Sequence, residues 1–314
     1  MHDEMKRRNV TSLHVAAAAG VSQSAVSRAF RDGASISADM RERVHAAARR
    51  LGYTPNAFAS GLLTRSSGLV GLVMGDVSNP VQSALLAALL PRLAAAGRPP
   101  LLASAADAAG LRRALDRLER YRPDAVLICA PTLPPALGAR LARDGVPLVL
   151  VNRYPLRPGP AVARTDNLAG GAEMARHLQS RGLRRVAVIG GPAEAPASRE
   201  RLAGFASVLR PVAAATGDYS LASGALALRR LLRHAPDAVF CANDLMALGA
   251  MDAAPAGLPV FGFDGIPEGA LAKYRLTTMA QDIEGLAEAA LSLLDQPGEQ
   301  RLVPARLLVR QEKD

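Results

Sequence analysis

The sequence predicts an α/β protein carrying a small all-helical head, and three observations predict it. From residue 68 onward, short runs rich in Val, Ile and Leu alternate with longer helical patterns. Most of these runs lack strict apolar-polar alternation, as expected of strands buried on both faces of a parallel sheet. Residues 10–52, by contrast, hold three short capped helical patterns and no strand pattern.

In the head, "TSLHVAAAAG" opens with Thr11 as a cap and ends at Gly20. "SQSAVSRAFRDG" runs from Ser22 to Gly33, and "SADMRERVHAAARRLG" from Ser37 to Gly52. Met40, Val44, Ala47 and Leu51 recur at three- and four-residue steps on the third helix, with Arg41, Arg43, Arg49 and Arg50 on its other faces. Gly20 followed by Val21 stands where a helix-turn-helix places its tight turn and a core residue. On the second helix Val26, Ala29 and Phe30 share one side, while Ser24, Ser27, Arg28 and Arg31 share the other and Gln23 lies in the first turn. That polar face has no acid, and its helix N-terminus suits a phosphate. Gln and Arg can pair with adenine and guanine edges in a major groove. The pattern fits a DNA recognition helix; a generic three-helix interaction module shares the spacing.

Charge agrees with a polyanionic partner for the head. Residues 1–66 carry ten Lys/Arg against five Asp/Glu, half of the chain's net +10 on about a fifth of its 314 residues. A solvated basic surface would give the same balance. No run approaches the ~20 apolar residues of a membrane helix, and the N-terminus lacks an apolar export core. The two cysteines, Cys129 and Cys241, each lie inside an apolar run, so buried free thiols in a cytoplasmic protein are expected.

The body's strand-like runs are "GLVGLVMG", "PPLLASA", "DAVLICA", "VPLVLVN", "RRVAVIGG", "RPVAAAT", "DAVFCAN", "LPVFGF" and "RLTTMA". Helical patterns cover 108–120, 168–181, 198–209, 220–234 and 283–294. Nine strand runs over this length imply two open sheets. Residues 53–67 then link the head to the body.

Two long strings carry a family resemblance. "VTSLHVAAAAGVSQSAVSRAF" followed by "ISADMRERVHAAARRLGYTPN" closely resembles the head of the LacI/GalR family of bacterial transcription regulators. His14 stands where that family usually has an acid, so the first helix is expected to start slightly less firmly; Ala25 stands for the usual threonine. The resemblance implies that Gln23, Ser24 and Arg28 occupy operator-reading positions. Thr11, Ser22, Ser27 and Asn56 become candidate phosphate or backbone contacts. It also implies a hinge helix after the Pro55-Asn56 pair that forms on operator DNA, with Leu62 as its minor-groove wedge. Gly61 inside that helix costs about 1 kcal/mol relative to alanine in a segment already marginal alone. Its other reading is a residue that lets two hinge helices approach closely.

The body continues the resemblance through "GDVSNP", "VLVNRY", "TDNLAGG", "RERLAGF", "GDYS", "CANDLMALGA", "FGFD" and "LTTMAQD". In the family this is a type I periplasmic-binding-protein-like body, two parallel-sheet subdomains closing on a small-molecule effector. Arg201 is by resemblance the arginine that enters the cleft from a helix and can grip a hydroxyl pair or a carboxylate. Asn243 and Asp264 each follow an apolar run, where α/β sheets present ligand-binding side chains. Tyr219 is the aromatic candidate, and Trp is absent. Asp76, Asn152 and Gln281 complete the candidate set; Asp76 and Asn152 equally fit helix caps or loop satisfiers. The segments near 210–217 and 253–258 are shorter than is usual in the family, and Pro91 is expected to interrupt a first-subdomain helix.

The implied organisation is a helix-turn-helix domain at 1–55, a hinge at 56–67 and an effector-binding, dimerising body at 68–314. Its first subdomain takes about 68–165 and 281–300, its second about 166–280 and 301–314. The expected activity is sequence-specific binding of near-palindromic double-stranded operator DNA by a homodimer, most simply as a repressor, switched by a sugar or related metabolite. The C-terminus "RLLVRQEKD" adds no leucine heptads for a tetramer. No cofactor or metal is expected. A transporter-feeding solute-binding protein would share the body without using the head. An enzyme would need a nucleophile, base and acid together, and "VIGGPAE" lacks both the G-x-G-x-x-G spacing and a Walker lysine.

Overall fold

The computed structural model describes residues 10–30, 33–54, 67–105, 107–130, 145–155 and 159–310. It divides into two compact units, Met1–Ser67 and Gly68–Asp314.

The first unit is built from α1 (Ser12–Ala19), α2 (Gln23–Ala29) and α3 (Ala38–Leu51). Ser22 and Ser37 cap α2 and α3 by accepting the backbone N–H groups of Ala25 and Met40. Gly20 ends α1 at φ 66°, and the N–H of Val21 returns to the Ala16 carbonyl, closing the tight turn that a side chain would strain. Val15, Val26, Ala29, Val44, Ala47 and Ala48 form a small buried core, with Val21, Phe30 and Leu51 packed against it. The Arg41 guanidinium donates to the Ala29 carbonyl at 3.2 Å, tying α3 to the end of α2. His14 serves its helix better than expected: its Nδ1 accepts the Thr11 backbone N–H at 3.1 Å, the reciprocal half of a capping box that an acid normally supplies.

The second unit holds two six-stranded sheets. The first, in the order β11-β5-β4-β3-β1-β2, is entirely parallel. It comprises β1 (Val70–Met74), β2 (Pro100–Ser104), β3 (Ala125–Ile128), β4 (Leu148–Val151), β5 (Ala161–Thr165) and β11 (Gln300–Val303). The second, in the order β12-β10-β9-β8-β6-β7, is parallel except for its edge β12. Its strands are β6 (Val186–Gly190), β7 (Ala213–Thr216), β8 (Ala238–Cys241), β9 (Val260–Asp264), β10 (Thr277–Ala280) and β12 (Arg306–Leu308). Central strands are buried along their whole length, which is why their sequences show no alternation.

Around the first sheet pack α4 (Pro80–Ala95), α5 (Ala108–Glu119) and α10 (Ile283–Ser292). Around the second pack α6 (Asn167–Ser180), α7 (Pro196–Val208), α8 (Leu221–Leu231) and α9 (Asp244–Ala253). No described helix is long and apolar enough to cross a membrane.

Three details differ from expectation. Pro91 does not interrupt its helix; α4 runs through it to Ala95, and Arg92 Nη1 donates to the Ala88 carbonyl at 3.1 Å in the turn Pro91 disturbs. The last crossing between sheets falls between Val303 and Arg306 rather than at residue 300, because β11 pairs with β5. And β5, β11 and β12 are strands additional to the nine runs. The predicted hinge, with Asn56, Gly61 and Leu62, lies outside the described residues except for Ser67.

Candidate functional site

On the head, the buried and polar sides of α2 separate cleanly. Ala25, Val26 and Ala29 are buried, Gln23, Ser24 and Arg28 are exposed, and Ser27 is half-buried. Gln23 Nε2 donates to Ser12 Oγ at 2.9 Å, bracing the second helix against the first and leaving the amide oxygen for another partner. Ser22 Oγ lies 2.9 Å from Ser24 Oγ while capping α2. Thr11, exposed, is the N-cap of α1. The result is an acid-free helix face of short polar side chains and one arginine, braced from behind.

In the body, most of the candidate effector residues converge where the chain crosses between the sheets. Arg201 projects from α7, and its depth is set by a close helix crossing. A Cβ on Gly171 of α6 would overlap the Arg201 carbonyl, and one on Gly204 would overlap the Leu168 carbonyl. These mid-helix glycines let α6 and α7 touch backbone to backbone. Arg201 Nε then donates to Asn167 Oδ1 at 2.8 Å, and Nη1 to the Ala242 carbonyl at 2.6 Å and to Asp264 Oδ1 at 3.0 Å. The guanidinium lies 3.8 Å from the Phe263 ring centroid, a cation–π stack. Side-chain exposure of 7% for Arg201 and 10% for Asp264 leaves the pair almost wholly desolvated, so each needs the other.

From Asp264 the bonding continues to the other sheet. Gln281 Nε2 donates to Asp264 Oδ1 at 2.7 Å, while Gln281 Oε1 accepts from Asn152 Nδ2 at 2.7 Å and Thr165 Oγ1 at 2.8 Å. Asn152 Oδ1 in turn accepts the Thr165 backbone N–H at 2.9 Å. Thr165 ends β5 and Gln281 follows β10, so this chain of polar groups spans two crossover strands. Among the six described non-glycine residues with positive φ, three are in this set: Asn152 at 52°, Tyr219 at 72° and Asp264 at 142°. Backbone held in such regions collects at ligand clamps.

Tyr219 stands near Arg201, Asp264 and the Ser198 hydroxyl, and burial raises its phenol above the ordinary range. A Cβ on Gly191 would strike its ring, so that glycine makes room for it. Asn243 is buried; its Oδ1 accepts the Met246 N–H to cap α9 and its Nδ2 donates to the Tyr219 carbonyl at 3.2 Å, so it positions Tyr219 as well. Asp76 is the one candidate not drawn in. It is exposed, and its Oδ1 accepts the Ser78 N–H at 2.9 Å, which is the loop-satisfying alternative.

Burial raises the Asp264 carboxyl, against the pull of Arg201, and burial raises Asp244 behind it, helped by the charge of Asp264. Asp244 accepts the Gly265 and Ile266 N–H groups at 2.7 and 2.9 Å and the Thr278 hydroxyl at 2.6 Å, which hold the turn after β9 in place.

Several residues around the cleft carried no separate signal in the sequence. Glu200, one residue before Arg201, accepts from the Tyr154 hydroxyl at 2.6 Å and Arg164 Nη1 at 2.8 Å, tying α7 to β5 and the segment after β4. Burial, then the bond to Glu200, pushes the Tyr154 phenol up to about 12. Asn167 and Arg153 are further members. Tyr154 and Arg153 stand in the string "VLVNRY", but only the fold shows which way they matter.

Comparison with known proteins agrees with this architecture. A family model described as bacterial regulatory proteins, lacI family, matches residues 13–56, and one described as periplasmic binding proteins and sugar binding domain of LacI family matches 67–258. The HTH-type transcriptional repressor CytR of Escherichia coli (strain K12) is 30% identical over 96% of this chain and 95% of its own length. The HTH-type transcriptional regulator CelR of Thermobifida fusca is 31% identical, covering 97% and 96%. Among solved structures, a lac repressor dimer bound to operator and the anti-inducer ONPF superposes with a TM-score of 0.85 at 28% identity, covering 96% of this chain and 98% of that one. A helix-turn-helix unit, a two-sheet body and whole-length similarity to such regulators place this chain in the LacI family of bacterial DNA-binding transcription regulators.

Proposed function

We propose that this chain is a homodimeric repressor of the bacterial cytoplasm, without catalytic activity, whose affinity for a near-palindromic operator is set by a small molecule bound between the body's two subdomains. The observation that carries the reading is the Arg201–Asp264–Gln281–Asn152 chain, a desolvated set of donors and acceptors spanning the crossover strands. A ligand there exchanges hydrogen bonds with the same groups that hold the crossing, and so binds two arrangements of the body with different affinity. Relatives supply the ligand class: a CelR structure contains cellobiose, at 27% identity and a TM-score of 0.69 over 96% of this chain. Arg201, Asp264, Asn152, Gln281 and Tyr219 are assigned to the effector, Asn243 to orienting Tyr219, and Asp76 to its own loop.

The DNA side rests on the exposed row Gln23, Ser24 and Arg28, with Ser22, Ser27 and Thr11 toward phosphates. Asn56 and Leu62 belong to the hinge, assigned here to 56–67 between a DNA-binding domain ending near 55 and the body. The test uses DNA recovered by selection from a random-sequence pool. Arg28→Ala loses sequence preference, with discrimination falling by about 1–3 kcal/mol at the base it reads, while stabilisation by cleft ligands is unchanged. An Arg28→Ala protein that selects the same sequence as wild type refutes the recognition-helix assignment.

A further inference from the structure

The cleft contains an arginine that no acidic side chain neutralises among the described residues. Arg153 follows β4, and its guanidinium donates only to backbone carbonyls: Nε to Ala130, Nη1 to Asn152 at 3.0 Å and Nη2 to Cys129 at 2.7 Å. That uses three of the five N–H donors of a guanidinium, all on neutral acceptors. The acidic groups nearby are committed elsewhere. Glu200 is held by Arg164 and Tyr154, Asp264 by Arg201 and Gln281, and Asp244 by two backbone N–H groups and Thr278.

Arg153 nonetheless borders the effector set: it directly follows Asn152, and its guanidinium lies on the Cys129 and Ala130 carbonyls just past the C-terminal end of β3. Tyr219, from the other sheet's subdomain, neighbours Arg153 as well as Arg201 and Asp264. Burial works against its charge and lowers its pKa from the ordinary arginine value, the direction expected of a cation taken from water without a counter-ion. An uncompensated part-buried charge is costly, and an anion delivered by a ligand removes that cost. Arginine is also the side chain that grips a phosphate or carboxylate with paired N–H groups.

We propose that the effector of this chain carries an anionic group, a phosphate or a carboxylate, seated on Arg153 while its hydroxyls meet Arg201, Asp264 and Gln281. This rests on the cleft being the effector site and adds the chemical class that the cleft selects. A neutral sugar satisfies the Arg201 side of the cleft and leaves Arg153 unmatched.

The test is calorimetric titration of the full-length protein with two matched series: ribose, ribose 5-phosphate and ribonate, and glucose, glucose 6-phosphate and gluconate. Wild type is expected to bind an anionic member at least about tenfold more tightly than its neutral parent. The phosphate and carboxylate arms identify which anion fits. Arg153→Met abolishes the gap, and Arg153→Lys, which keeps the charge without the fork, restores part of it. If Arg153→Met does not fold, Arg153→Lys alone carries the comparison through a reduced gap. Neutral parents that bind as tightly as their anions, a gap that survives in both Arg153 variants, or no binding by any anionic member overturns the proposal. If neutral ligands bind and are lost in Asp264→Asn, the cleft assignment stands and only the anion fails. Ligands indifferent to Asp264→Asn and to both Arg153 variants remove the cleft assignment itself.

Discussion

Asp264 belongs to the candidate effector set and Asp244 lies behind it, and their surroundings assign them different work. Asp264 faces a guanidinium at 3.0 Å, whereas Asp244 has only a hydroxyl and two backbone N–H groups to balance its burial. Both carboxyls have folded pKa values raised above their unfolded ones. The folded state therefore holds protons that the unfolded chain has released above about pH 4. The stability these two groups contribute is full below that point and falls as pH rises through the raised values, then levels off. In thermal melts between pH 4.5 and 8, wild type is expected to lose more stability on the alkaline side than Asp244→Asn, which keeps acceptors for Gly265 and Ile266 but cannot ionise. Parallel pH profiles for the two proteins contradict this. The strand-end position of Asp264 was legible in the sequence because it stands straight after an apolar strand run. Arg153 was not, since nothing local says that a basic residue beside "VLVN" turns onto carbonyls, and Asp76 has the same strand-end position but spends its carboxylate on Ser78.

The pairing of α6 with α7 repeats in that of α8 with α9, and in both it decides where cleft residues stand. Gly224 would meet the Met246 backbone and Gly249 the Leu221 backbone if either carried a Cβ, as Gly171 and Gly204 would across the first pair. One crossing fixes Arg201; the other fixes Asn243, the cap of α9, against Tyr219, next to the Ser220 cap of α8. In the sequence these glycines read only as weak points in helices, because propensity carries no information about a neighbouring backbone. Gly204→Ala drives a methyl into the Leu168 carbonyl, with an expected cost of about 1–3 kcal/mol in urea unfolding of the body. The same change displaces α7 and weakens effector binding through Arg201. Unchanged stability would mean that the two helices can part without loss. Helix periodicity was the most readable feature at this scale. The edge strands β11 and β12 were the least, since "QRLV" and "RLL" are short, part-charged and lie where a sheet is covered on fewer sides.

At the scale of the whole molecule, function requires that a change between the body's subdomains reach the DNA-reading head, and the proposed route is the hinge assigned to residues 56–67. The resemblance to LacI-family heads assigns that segment a helix that forms on DNA, and Gly61 keeps such a helix marginal. Gly61→Ala is expected to tighten operator binding by up to about 1 kcal/mol and to blunt the response to effector, measured as operator affinity with and without ligand. Equal induction in the variant and wild type contradicts a switching role for the weak helix. The division into a helical head and a two-sheet body was legible because each region has its own period; the chemistry of the ligand was not, because it depends on groups from several separate segments meeting at the crossing.

The proposed function requires above all that the cleft and the DNA-reading helix be coupled in one chain. It is tested most directly by titrating full-length protein onto a fluorescent duplex carrying its selected operator, with and without a saturating cleft ligand, followed by anisotropy. Ligand is expected to change operator affinity by roughly 5- to 150-fold, a coupling of about 1–3 kcal/mol, and Asp264→Asn to remove the change. A ligand that binds the body and leaves operator affinity unaltered would contradict it.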